Sequence, residues 1–185
     1  MQLYGSYTSP YVRHCRIALI DSGLPFELIE SDQAASARLS PTQRVPFLVD
    51  GKMQLSDSLA ILAHIRQRQG QQLLSDPQRL NLMCLATTVL DSTINLFFLE
   101  RDGLTVASSA YLQRQQARIN SSLAELERQQ LKSCAPFDDA DLRLGVMIGW
   151  AEFRQRIDFT PYPKLRAFYQ ALLSFAPFAQ TQPQA

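Results

Sequence analysis

Arg44-Val45-Pro46-Phe47-Leu48-Val49-Asp50-Gly51-Lys52-Met53-Gln54-Leu55-Ser56-Asp57-Ser58 is the stretch that decides how this chain folds. Residues 47–49 and 53–55 read as two short strands, with Asp50-Gly51 as the hairpin turn between them. Pro46 stands at the mouth of the first strand, where it removes a ladder donor. A trans proline at a strand edge accounts for that. A cis Val45–Pro46 bond accounts for it differently, by turning the Val45 backbone outward. Its N–H and C=O could then pair with an extended ligand, as an added strand does. Position alone leaves both readings open.

The residues before the hairpin alternate short apolar runs with helical patterns. Residues 2–7 read as a strand and residues 10–22 as a helix, with Gly23 as its stop. After Pro25, residues 26–30 form an alternating strand. Residues 31–43 are polar, contain Ser40-Pro41, and read as a loop with at most a short helix. Behind the hairpin, residues 59–69 form a helix ended by Gly70. A strand, helix, strand opening implies a parallel pair joined by a crossover.

Residues 71–77 read as a linker, and no strand signal follows. Residues 78–101 form a long helix with Leu82, Ala86, Val89, Leu90, Thr93 and Phe97 on its stripe, broken at Gly103. Leu112, Gln116, Ile119, Leu123, Leu126 and Gln130 mark a second, largely solvated amphipathic helix. Residues 142–151 are apolar almost all round, the pattern of a helix buried in a bundle. Ahead of them Asp138 and Asp141 have the spacing of a capping box, and Phe137 and Leu142 that of a hydrophobic staple. Leu165, Phe168, Tyr169 and Leu172 mark a last helix, and Pro177 onward reads as a tail. The expected architecture is therefore an α/β domain over 1–72 and an all-helical domain over 78–185.

Composition narrows the function. The chain has 185 residues, 46% hydrophobic and 19% charged, with a formal net charge of +1. That gives no bulk basic field for nucleic acid or an acidic membrane. No apolar run approaches the length of a membrane span, and no secretory leader is evident, which points to the cytoplasm. The three cysteines are far apart, and with only two histidines no metal site is expected.

Two further motifs carry chemistry. Asp57-Ser58 opens the helix after the hairpin. Helix-start amides and a serine hydroxyl suit a carboxylate, and an aspartate beside them suits an ammonium, so the pair fits an amino-acid head group. Plain helix capping explains the same residues. Thr8-Ser9-Pro10-Tyr11 forms the first strand-to-helix turn, with Ser9 at the cap and Pro10 as the first helical residue. A hydroxyl there can cap the helix, or donate to a ligand thiolate and favour its ionisation.

Taken in order, Ser9-Pro10-Tyr11-Val12-Arg13, Val45-Pro46-Phe47-Leu48 and Asp57-Ser58 resemble the soluble, cytosolic-type glutathione S-transferase family. The resemblance spans almost the whole chain and includes the capping box. It implies a thioredoxin-like front domain followed by an all-helical bundle, and a cis Val45–Pro46 bond. It implies that the Val45 backbone pairs with the cysteinyl part of glutathione, with Asp57 and Ser58 on the γ-glutamyl end. It puts Arg44 near the glycyl carboxylate, where an exposed loop arginine is the plain alternative. Ser9 falls where serine-type members carry the thiolate-stabilising hydroxyl, with Thr8 as a substitute; Cys15 lies too far along the helix for the cysteine-type position. The implied protein is a homodimeric, cytoplasmic detoxification enzyme that uses glutathione as co-substrate and no metal. It would attack small electrophiles and reduce peroxides with the thiol. A non-catalytic glutathione-fold module and a glutathione-dependent isomerase or dehalogenase are the alternatives.

Overall fold

A computed structural model describes residues 1–183 and divides the chain into two compact units. One joins Met1–Ser75 to the segment from Phe175 on, and the other is Asp76–Ser174. The break near residue 75 falls in the expected linker. The far boundary corrects the expected 78–185 domain, because the segment after Ser174 returns to the first unit. Its last two residues lie outside the described residues.

The first unit holds β1 (Gln2–Gly5), α1 (Pro10–Ser22), β2 (Glu27–Glu30), α2 (Gln33–Leu39), β3 (Phe47–Asp50), β4 (Met53–Leu55) and α3 (Ser58–Arg68). The sheet order is β2-β1-β3-β4. β1 and β2 are parallel, and β3 runs antiparallel to both β1 and β4. The polar loop before the hairpin contains the short helix α2, started by Asp32, whose Oδ1 accepts from Ala35 N–H at 2.7 Å. Leu3, Phe47 and Leu48 from the sheet and Val12, Ile17 and Ile61 from the helices are all buried. α1 settles closely on β1 because Gly5 has no side chain. A Cβ there would stand 2.3 Å from Val12 Cγ2.

A short helix, α8 (Ala176–Ala179), completes this unit by packing on α1. Its Phe178 is fully buried. Sequence gives little sign of this, because four helical residues carry no readable periodicity.

The second unit is helical: α4 (Pro77–Arg101), a single 3-10 turn (Val106–Ser108), α5 (Ala110–Arg128), α6 (Asp139–Phe153) and α7 (Pro163–Leu172). α4 packs against α5 and α6, and α7 against the same two. By length and composition α4 could cross a membrane, which corrects the expectation that no apolar run approaches that length. Here Leu82, Met83, Ala86, Val89 and Leu90 are buried, the mark of a helix shared by two neighbours. On α5 the buried glutamine is Gln115, not Gln116, because its Oε1 accepts from Ser92 Oγ of α4 at 3.0 Å.

α6 is buried on every side, as its sequence suggests, and the capping box forms. Asp138 Oδ1 accepts from Ala140 and Asp141 N–H, while Asp138 N–H donates to Asp141 Oδ2 at 3.0 Å. α7 has no capping side chain of its own. Glu127 of α5 supplies the acceptors instead, taking the N–H groups of Lys164 at 2.8 Å and Leu165 at 3.0 Å.

Candidate functional site

The strand register of the first unit brings the sequence-predicted residues to one edge of the sheet. Tyr4 pairs with Phe47 and Leu48 with Leu55. The C-terminal ends of β1 and β4 therefore flank the N-terminal end of β3. Ser9 follows β1, Val45 precedes β3, and Asp57 and Ser58 follow β4. α1 and α3 both begin at this edge and pack against each other. Two helix N-termini thus lie on either side of one segment of extended backbone, an arrangement suited to negative charge.

At α1, Ser9 is the N-cap (φ −76°, ψ 125°), and its Oγ accepts from Val12 N–H at 3.4 Å. That bond is long, and within the described residues the hydroxyl donates to no acceptor. Thr8 is engaged differently. Its Oγ1 lies 3.0 Å from Ser6 Oγ, and its N–H donates to the same oxygen at 3.2 Å. Thr8 and Ser6 share a contact in which either hydroxyl can be the donor, whereas the Ser9 proton has no acceptor among the described residues. Cys15 is fully buried in α1.

The Val45–Pro46 peptide is cis, as is Ala135–Pro136. Val45 is half-buried, and neither its N–H nor its C=O takes part in a hydrogen bond among the described residues. Unpaired backbone groups at a partly buried position call for a partner. Gln43, just upstream, holds a left-handed φ of 53° while its N–H donates to Ser40 C=O at 3.0 Å. Thr42 Oγ1 ties this loop to Ser56 C=O at 3.4 Å. Arg44 is exposed.

At α3, Asp57 is the N-cap, and its Oδ1 accepts from Leu59 N–H at 2.7 Å. The second carboxylate oxygen has no partner within the described residues. Asp57 is exposed and Ser58 is buried, so the aspartate faces outward while the serine is seated in the helix start.

Other charged groups lie elsewhere. His64 Nε2 and Arg68 Nη1 both sit 2.9 Å from Asp50 Oδ2. This cluster is at the opposite end of β3. The His64 hydrogen bond and the Arg68 charge outweigh desolvation and hold the Asp50 carboxyl below its ordinary range. Sequence reading missed it because it joins a strand end to a helix end. In the second unit, Phe97 is packed edge-on against Trp150 at 5.8 Å. Arg154 and Arg156 lie within 6 Å of its ring. Phe98 and Tyr111 are exposed, and Arg101 lies 6.0 Å from the Phe98 ring. A shallow hollow of about 510 Å³ lined by Glu152, Arg156, Asp158, Phe159 and Arg166 holds none of the predicted residues. No group of three or more His, Cys, Asp or Glu side chains suited to a metal occurs among the described residues.

Comparison with known proteins bears on both units. The glutathione S-transferase N-terminal domain family model matches residues 3–73, and the C-terminal domain model matches residues 109–171. Among curated proteins, glutathione S-transferase Z2 of Arabidopsis thaliana is 29% identical, covering 100% of this chain and 91% of its own length. A zeta-class glutathione S-transferase of Euphorbia esula is 28% identical, covering 99% of this chain and 90% of its own. Among solved structures, a glutathione S-transferase from Methylobacterium radiotolerans in complex with glutathione sulfonate superposes with a TM-score of 0.85. It is 27% identical, with 100% of this chain and 95% of that one covered.

Proposed function

This chain belongs to the glutathione S-transferase family, and on that premise we propose that it binds glutathione at the shared edge of β1, β3 and β4 and activates its thiol. The observation that carries this reading is the Val45 backbone, unbonded among the described residues and flanked by two helix N-termini. Glutathione docks as an added strand, its cysteinyl unit pairing with Val45 N–H and C=O. The free Asp57 carboxylate oxygen takes the γ-glutamyl ammonium, and Ser58, at the start of α3, takes the α-carboxylate. Arg44 meets the glycyl carboxylate.

Ser9 then donates its hydroxyl proton to the sulfur while its Oγ still accepts from Val12 N–H. The first turn of α1 adds a favourable potential for the negative charge. Lowering the thiol pKa by about two units corresponds to about 2.7 kcal/mol. One charge-assisted hydrogen bond with a helix terminus supplies that amount, roughly 1.5–3 kcal/mol from the bond alone. The thiolate attacks an electrophile, and the same thiolate can reduce a peroxide. Neither step uses a metal or a covalent bond to the protein. The chain acts as a serine-type, soluble cytoplasmic enzyme with a detoxifying role, and as a homodimer. Light scattering should give twice the chain mass, and a monomer would end the dimer reading.

The test is retention on immobilised glutathione followed by assay against an aryl halide. Retention with glutathione consumed mole for mole supports conjugation. Turnover of an isomerisable or halogenated substrate that leaves glutathione unconsumed identifies the isomerase or dehalogenase alternative. Retention without turnover identifies a binding module, and failure to bind removes the reading. Ser9→Ala should raise the apparent pKa of the bound thiol by about one to two units, the worth of one charge-assisted bond. An unchanged pH–rate profile would take Ser9 out of the role.

A further inference from the structure

One buried cation in the first unit has no part in the chemistry above. Arg13 is 2% exposed. Its Nη2 donates to the Phe178 carbonyl at 3.0 Å and its Nε to Thr181 Oγ1 at 3.5 Å. The guanidinium carbon lies 4.1 Å from the centre of the Phe178 ring. Thr181 is as buried as its partner, and its single hydroxyl proton is shared between the carbonyls of Pro177 at 2.9 Å and Phe178 at 3.1 Å. The returning segment is thus wound around a cation that α1 presents. A buried guanidinium is unfavourable unless its donors are met, and these acceptors meet two of them.

The same residue reaches the candidate site through its backbone. Arg13 N–H donates to Ser9 C=O at 2.9 Å, closing the first turn of α1. Ser9 and Arg13 stand four residues apart, on one face of the helix. On another face Val12 is seated against Gly5 of β1. Val12 also supplies the N–H that holds Ser9 Oγ. The first turn of α1 is therefore gripped by the sheet through Val12 and by residues 175–181 through Arg13.

We propose that Arg13 is a positioning residue for the thiolate: by clasping residues 175–181 onto α1 it fixes the turn that carries the Ser9 hydroxyl. The proposal rests on the reading of Ser9 as the thiolate donor. It gives the returning segment a task that contact with substrate does not explain.

The experiment uses the full chain with Arg13→Met, Arg13→Lys and Thr181→Val. Amide hydrogen exchange in α1 and the apparent pKa of the glutathione thiol, followed by thiolate absorbance in the complex, are the two readouts. Arg13→Met should speed exchange at the Val12 and Arg13 amides by about ten- to a hundredfold, the worth of one charge-assisted bond. It should also raise the thiol pKa by about half a unit or more. Thr181→Val should move both readouts the same way by less, and it keeps the test alive if Arg13→Met does not fold. Arg13→Lys, which keeps one donor for the Phe178 carbonyl, should fall between wild type and Arg13→Met. Unchanged exchange in Arg13→Met, or in Thr181→Val if the former does not fold, overturns the clasp. Faster exchange with an unmoved thiol pKa overturns its positioning role. A wild-type protein that leaves the thiol at its solution pKa would sink the Ser9 reading instead, and the exchange data would then decide the clasp by themselves.

Discussion

Gln155 shows how a single residue can hide a structural signal. It holds a left-handed φ of 53°, and around it Gln155 N–H donates to Glu152 C=O at 2.9 Å and Arg156 N–H to Ala151 C=O at 2.8 Å. That paired pattern is a Schellman ending to α6. α3 and α4 end in the same way at Gly70 (φ 72°) and Gly103 (φ 82°). Glycine announced those two stops in the sequence, whereas glutamine concealed the third. Gln155→Gly should stabilise the protein by about 0.5–1 kcal/mol, because the left-handed conformation costs an L side chain about 1–2 kcal/mol and glycine's greater chain entropy offsets about 0.5–1 of that. Thermal unfolding would measure it, and a lowered Tm would show that the glutamine side chain contributes more than its backbone costs. The candidate site divides along a similar line. Ser9, Val45, Asp57 and Ser58 could be picked out by residue type next to a turn. Arg13 could not, since its acceptors lie 165 and 168 positions further along the chain.

At the level of elements, the start of α6 is the best-specified feature of the second unit. Arg79 of α4 donates to Asp138 through Nε at 2.8 Å and Nη2 at 2.7 Å, and to Asp141 at 2.5 Å. Lys132 reaches Asp141 at 2.8 Å and Asp138 at 3.4 Å. The capping box was legible from a three-residue spacing. The two cations that lock it were not, because they come from a different helix and from the α5–α6 connection. Burial alone would raise the Asp138 pKa, but the Arg79 hydrogen bonds, the Asp141 backbone and the charges of Arg79 and Lys132 bring it down to about 2. A carboxylate depressed in this way stabilises the fold fully above its unfolded pKa, about 4, and loses that contribution as pH falls through the folded value. The stability gap between wild type and Asp138→Asn should therefore close between about pH 4 and pH 2, as followed by denaturant midpoints. A gap that stays constant would show that the cap acts through its neutral hydrogen bonds. Arg79→Met should cost more, about 3 kcal/mol, because it takes one of two cations from the fully buried Asp141.

Across the whole molecule, the sequence reading recovered the change from α/β to all-helical structure, because period-two patterns cease after residue 70. It did not recover the return of the segment after Ser174 to the first unit. Contact with α1 is set by tertiary packing, which leaves no local periodicity to read. A fragment of residues 1–75 should accordingly keep its secondary structure yet lose slow-exchanging amides in α1. Joining residues 175–183 to it through a flexible linker should restore them. Equal protection in both fragments would show that α1 needs no cover from α8.

That discontinuity also sets a timetable during synthesis. The Phe178 carbonyl emerges 165 residues after Arg13, roughly ten to thirty seconds later at ordinary elongation rates. Asp76–Ser174 is contiguous and can close as soon as it clears the ribosome. The N-terminal half, though made first, must wait with its arginine uncovered, so the part of the chain that would hold glutathione is the last to be finished.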